Sequence, residues 1–203
     1  MRKSVLYNWG FWALLGMNGY IVYYYSMHPN SYSTIVALYW VQSVCIGIFN
    51  FLSLITFPNT NSKIILSGKT ITNKGCFSIF FLVHYGIFHL VYLVFILIDI
   101  VKIDQLNWRF LKAAVIIIIA STAINFIQDK IKTQKQGANY NTMFMMPYAR
   151  IVPMHLMILL PKFFNISAPY LFLILKTLAD VLMYFVYQKW LFKQKVESNT
   201  NIL

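Results

Sequence analysis

CFSIFFLVHYGIFHLVYLVFILIDIV, residues 76–101, is the stretch whose reading decides the fold. It contains no Lys or Arg, and its one acid, Asp99, stands near the far end. Apolar residues surround every face of a helix drawn through it, so there is no polar side to give to water. About 20 predominantly apolar residues suffice to carry a helix across the hydrocarbon of a bilayer. The stretch is therefore read as a transmembrane helix, and the two histidines inside it, His84 and His89, as exceptions that need a reason.

Working outward, five further apolar stretches of comparable length occupy residues 5–27, 34–57, 108–127, 142–160 and 169–192. Each is bounded by residues that stop a helix or by polar runs. His28-Pro29-Asn30-Ser31 ends the first, because proline restricts the residue before it and cannot continue the ladder. Pro58-Asn59 ends the second. Polar connections are expected at residues 58–74, 102–107 and 128–141. The expectation is an all-α, polytopic transmembrane bundle of six helices, forming one integral membrane domain over residues 1–203.

Composition agrees. The 203 residues are 59% hydrophobic and only 11% charged, against about 25% charged in an ordinary soluble domain. The net charge of +12 does not indicate nucleic acid, because the basic residues stand singly in short connections. They follow the positive-inside pattern. With both termini inside, Arg2, Lys3, Lys63, Lys69, Lys74, Lys130, Lys132, Lys135, Lys189, Lys193 and Lys195 are inner, and Lys102, Arg109, Lys112 and Lys162 are outer. Eleven against four favours N-in, C-in. The first stretch is read as a retained helix rather than a cleaved signal, for want of a small-x-small site. No alternating strands of about ten residues recur, which excludes an outer-membrane barrel. Cys45 and Cys76 lack metal or redox spacing and are read as small buried hydrophobes.

The polar residues within the stretches carry the functional question. An ionisable group at bilayer depth costs several kcal/mol and marks a site or a pairing. His84 and His89 are five residues apart, about 140° around a helix, with Tyr92 between them in angle. The fifth stretch reads Pro147-Tyr-Ala-Arg150-Ile-Val-Pro153-Met-His155. Arg150 cannot discharge and must find an acceptor or snorkel. Pro153 would free a backbone carbonyl beside it. The methionines of this stretch are read as packing. Lys176 and Asp180 stand at i, i+4 on one face of the sixth helix and can neutralise each other. In the second stretch Gln42, Asn50 and Ser53 are candidates for interhelical hydrogen bonds.

Two resemblances follow from these segments. His84-x4-His89 resembles an element of the second span of rhomboid-like proteins, which also have a six-helix core. The asparagine of that pattern is replaced by Leu93, and no Gly-x-Ser-Gly lies in any apolar stretch. More broadly, the chain resembles an uncharacterised family of small six-span prokaryotic membrane proteins. The likeness rests on His84-Tyr-Gly-Ile-Phe-His89, Pro147 to His155 and Lys176-Thr-Leu-Ala-Asp180. It implies a prokaryotic cytoplasmic membrane and no particular chemistry.

Three functional readings stand side by side. In the first, His84, His89, His155 and Asp180 form a buried polar site that holds a divalent metal, or Arg150, Lys176 and Gln42 hold a polar or anionic ligand. In the second, the same residues are an ion or proton pathway in a transporter or channel subunit. In the third, the protein is a non-catalytic membrane scaffold, and the polar groups join helices. The expected partners are the lipid bilayer and further copies of this chain or subunits of a membrane complex.

Overall fold

A computed structural model describes residues 9–56, 64–66, 69–71, 74–136, 140–152, 155–156 and 168–190. Among them are six α-helices: α1 (Trp9–Met27), α2 (Tyr32–Ile55), α3 (Lys74–Phe95), α4 (Trp108–Gln136), α5 (Tyr140–Met145) and α6 (Ala168–Trp190). The expected all-α class holds. One small departure is a two-stranded antiparallel pair, β1 (Ile64–Leu66) and β2 (Lys69–Ile71), in the connection between α2 and α3, with Ile64 opposite Ile71 and Leu66 opposite Lys69.

Local chemistry sets the helix ends. The backbone N–H of His28 reaches back to both the Tyr24 and Tyr25 carbonyls, at 3.0 and 3.2 Å. Pro29 then opens a single 3-10 turn, Pro29–Ser31, that leads into α2. The end of α3 widens into a π-helical stretch, Ile96–Ile100, closed by the Val101 N–H on the Ile96 carbonyl at 2.7 Å. At the start of α4, the Asn107 side-chain oxygen accepts from the Phe110 N–H at 3.1 Å, which satisfies one of the orphan donors of a helix N-terminus. Two hydroxyls of α2 hold this connection down. Ser33 Oγ accepts from the Lys102 N–H at 3.2 Å, and Thr34 Oγ1 from the Asn107 N–H at 3.1 Å.

α2 is the hub of the fold. It packs along both α3 and α4 and also meets α5 and the turn that follows it, whereas α1 packs chiefly on α6. Tyr39, Val36 and Leu54 of α2, Phe81 of α3 and Phe172 of α6 are among the most buried side chains.

Two elements differ from the expectation. α4 does not stop at Ile127 but continues through the polar run to Gln136. Gln, Lys and Ile tolerate helix well and no proline or glycine intervenes before Gly137. The fifth stretch is not one uninterrupted α-helix. α5 gives way at Met146 to a 3-10 stretch, Met146–Arg150, with Pro147 in its first turn. Pro147 lacks the N–H that an α-helix would use there. Pro153 and the rest of the expected fifth span beyond Leu156 lie outside the described residues.

The distribution of polarity is inverted relative to a protein in water. Ser33, Thr34, Ser43, Ser78, His89, Lys176 and Asp180 are buried, while Ile98 is 76% exposed, Ile116 68% and Leu90 64%. So much contiguous apolar surface is a liability in water and natural in lipid. Among the described residues, three segments are long and apolar enough to cross a membrane, Pro29–Ile55, Gly75–Ile100 and Trp108–Ile131.

Candidate functional site

His84, His89, His155, Lys176 and Asp180 fall into three hydrogen-bonded sets, each built where two elements meet.

The first lies between α2 and α3. His89 Nδ1 is 3.0 Å from the Tyr85 carbonyl oxygen, one turn back on its own helix. A carbonyl only accepts, so Nδ1 carries the proton and Nε2 of the neutral ring is the acceptor. Ser43 Oγ lies 2.9 Å from that Nε2 and donates to it. The Tyr85 hydroxyl donates to the Ser43 carbonyl at 3.0 Å and lies equally close to Ser43 Oγ. Trp40 Nε1 donates to the His89 carbonyl at 2.9 Å. The rings of Tyr85 and His89 stack with centroids 4.1 Å apart. Gly47 makes room for this arrangement, since a Cβ there would overlap the Tyr85 ring. A serine hydroxyl bonded to an imidazole that a carbonyl orients has the outline of a nucleophile and base. Ser43, however, has no exposed surface, and the Tyr85 hydroxyl is bonded to it.

The second set joins α3 to the fifth stretch. His84 Nδ1 shares a hydrogen bond with the Tyr148 hydroxyl at 3.0 Å. Tyr92 and His155 are hydrogen-bonded through the Tyr92 hydroxyl and His155 Nδ1. Ser78 and Tyr140 are paired at 3.4 Å. Burial raises the Tyr140 phenol above its ordinary value, and the Ser78 bond offsets part of that rise. Phe81 packs edge-on against both Phe144 and Tyr148. The three hydrogen-bonded pairs are separated by 62, 64 and 63 residues. A nearly constant offset means that this part of the chain climbs beside α3 in the same direction.

The third set joins α1 to α6. Lys176 Nζ is 2.9 Å from Asp180 Oδ2 and 2.8 Å from Asn18 Oδ1. Asn18 Nδ2 donates to the same Asp180 oxygen at 3.3 Å. Ammonium, carboxylate and carboxamide thus close a ring in which charges cancel. Lys176 Nζ also lies 5.7 Å from the centroid of the Tyr39 ring, a favourable cation–π distance.

The expected four-ligand metal centre is not assembled. His84, His89, His155 and Asp180 each belong to a different hydrogen bond, and among the described residues no group of three or more His, Cys, Asp or Glu is placed to hold a metal ion. The reason is angular. Five residues along α3 point His84 toward Tyr148 and His89 toward Ser43, and Asp180 is drawn to the lysine one turn away on its own helix. Gln42 is half-buried on α2, next to Ser43, which takes the interhelical bond in its place. The backbone of Arg150 ends the 3-10 stretch, and its side chain lies outside the described residues.

Sequence reasoning missed Asn18, Ser43 and the hydroxyls of Tyr85 and Tyr148. Asn18 was detectable as a carboxamide in the middle of an apolar run. Ser43 was not, because a serine satisfies itself on its own helix as readily as on a neighbour.

No curated protein and no solved structure matches this chain. A family model does, over residues 1–197, and its description is a family of unknown function, DUF6498. The match agrees with the resemblance to an uncharacterised family that the three quoted segments carry, and adds nothing to the local likeness with rhomboid-like proteins. Because the matched region takes in nearly the whole sequence, the chain belongs to the DUF6498 family.

Proposed function

We propose that this protein is an integral membrane scaffold of six spans, N-in and C-in, in a prokaryotic cytoplasmic membrane, whose intramembrane polar side chains act as joints between helices. The observation that carries the reading is the closure of each polar set. His89 bonds Tyr85 and Ser43 through its two ring nitrogens, His84 bonds Tyr148 through Nδ1, His155 bonds Tyr92, and Lys176 and Asp180 bond each other and Asn18. A metal site would keep imidazole nitrogens aimed at one point. An ion or proton pathway would link the sets from one end of the bundle to the other. His89 and Tyr92 are in ring contact at 6.3 Å, and each makes its hydrogen bonds to other partners.

The six-span count is supported by two contacts at opposite ends. Tyr140 meets Ser78 at the entrance of α3, and Tyr170 meets Tyr25 at the far end of α1. The chain therefore passes from one end to the other between them. A crossing takes about 20 residues, and that interval has room for one. The most apolar window of α4 has none of its residues buried, which leaves a whole helix face for lipid or for a neighbouring subunit.

The test is elemental analysis of the purified protein beside His89→Ala, together with ion flux in proteoliposomes beside Arg150→Ala. The scaffold reading expects no bound metal and no flux above that of empty vesicles. Stoichiometric metal that His89→Ala loses, or flux that Arg150→Ala abolishes, would overturn it.

A further inference from the structure

We propose that the lipid-facing side of α4 is the contact face of a parallel homodimer, in which the Asn125 carboxamide of each copy hydrogen-bonds the Asn125 carboxamide of the other. The inference names a partner for the scaffold and rests on the membrane reading.

Asn125 is the anomaly that carries it. It stands within Trp108–Ile131, whose most apolar window has no buried residue, and it is exposed. No hydrogen bond joins its side chain to another described residue. Phe126 fixes its depth, because that ring packs on Phe49 of α2 with centroids 5.6 Å apart. Residues 49 and 125 each stand six positions before the ends of their membrane-length segments, Ile55 and Ile131, about 9 Å along a helix. Asparagine has one methylene and cannot lift its amide that far, as lysine can. An amide left in hydrocarbon without a partner is costly. The neighbouring hydroxyls avoid that cost on their own helix, Ser121 and Thr122 both donating to the Ile118 carbonyl, at 3.0 and 2.6 Å. Asn18, the carboxamide of α1, avoids it against Lys176 and Asp180.

A second copy is the complement of this face. A carboxamide carries donors and an acceptor together, so it pairs with its own kind. All copies of the chain enter the bilayer with the same side inward, and the two-fold axis relating two of them runs along the bilayer normal. Such an axis keeps every residue at its own depth, and the contact is isologous. Two α4 helices therefore meet in parallel with Asn125 level with Asn125. A different subunit would need a polar group at that depth; a second copy has one by symmetry.

The spacing agrees. Ala114, Ile118, Ser121, Asn125 and Gln128 follow at intervals of four, three, four and three, the seam of two parallel helices. Ser121, Asn125 and Gln128 are exposed, and Ala114 and Ile118 half-buried, so the seam runs along the edge of α4's contact with α2. Ser121 is small enough to let the backbones approach. With its proton on the Ile118 carbonyl, its oxygen accepts the second N–H of the opposite amide.

Two measurements test the interface on the full-length protein, with Cys45 and Cys76 replaced by alanine. In the first, Gln134→Cys is labelled with donor or acceptor dye, and energy transfer is followed in liposomes as lipid dilutes the protein. The expected result is a dimer that Asn125→Leu weakens about tenfold, while the unfolding midpoint of the Asn125→Leu monomer stays level or rises. In the second, single cysteines are oxidised in the membrane. Ser121→Cys should cross-link two copies, and Ile119→Cys, about 200° away around the helix, should not. Energy transfer no greater than chance overturns the proposal. So does a dimer indifferent to Asn125→Leu, or one that cross-links through Ile119→Cys as readily as through Ser121→Cys. A monomer that still needs detergent for extraction keeps its place in the membrane and loses this interface. A protein recovered without detergent loses both.

Discussion

Ser43 has more at stake than its size suggests. Its hydroxyl is the donor for His89 Nε2, and its carbonyl takes the Tyr85 hydroxyl proton. Ser43→Ala leaves a buried ring nitrogen without a donor, which costs about 1–3 kcal/mol, read as a lower midpoint in a denaturing-detergent titration of the purified protein. The Lys176 and Asp180 pair gives a sharper contrast. Lys176→Ala strands a buried carboxylate and should cost about 3–5 kcal/mol, whereas Lys176→Met with Asp180→Leu removes both charges and should fall near neutral. If the single and double variants unfold alike, the pair is not a joint. At this scale the sequence was legible where charge was concerned and opaque where direction was concerned. Lys176 and Asp180 announced their pairing by a four-residue spacing. Asn18, which completes the ring from another helix, lies 158 residues from Lys176, and no local pattern reports such a partner.

Elements were legible wherever a breaker or an uninterrupted apolar run marked them. α1 ends at Met27, where its apolar stretch ends, and Pro29 separates α1 from α2 as its chemistry requires. α4 overran its boundary because polarity alone does not end a helix; a residue that disfavours helical dihedrals does. The break in the fifth stretch, at Met146–Arg150, has Pro147 in its first turn, and Pro153, which the sequence singles out, lies outside the described residues. What no reading of one helix supplies is its distance from the next. Gly47 sets that distance for α2 and α3, because the Tyr85 ring occupies the space a Cβ would need. Gly47→Ala should push the two helices apart at a cost of about 1–3 kcal/mol and should expose Ser43 and His89 to hydrogen exchange and to alkylation probes. Gly16 has open space around it, and Gly16→Ala should leave stability unchanged or slightly raised by helix propensity. Equal effects at the two glycines would deny Gly47 its role as a spacer.

For the whole molecule, the decisive property is the direction in which polarity runs. Buried serines, a histidine and an ion pair lie inside an apolar exterior, and the single-letter sequence foretold this by composition alone. The order in which helices pack was not foretold, because in lipid every apolar face is equally content, and small polar contacts choose the neighbours. Those contacts place the end of α1, the start of α2, the Lys102–Asn107 connection and the start of α6 together. The end of α2, the start of α3 and α5 gather at the opposite end. An odd number of crossings would put the two termini on opposite sides of the bilayer; the even number proposed here puts both inside, on the side richer in lysine. Cysteine labelling in sealed vesicles reads this directly, with Cys45 and Cys76 first replaced by alanine. Asp104→Cys should react with a membrane-impermeant reagent from the outer side. Gln134→Cys and Asn199→Cys should react only after the vesicles are opened. Labelling of Asn199→Cys from outside would remove one crossing, and with it the parallel climb of the fifth stretch along α3 that aligns Tyr148 with His84 and His155 with Tyr92.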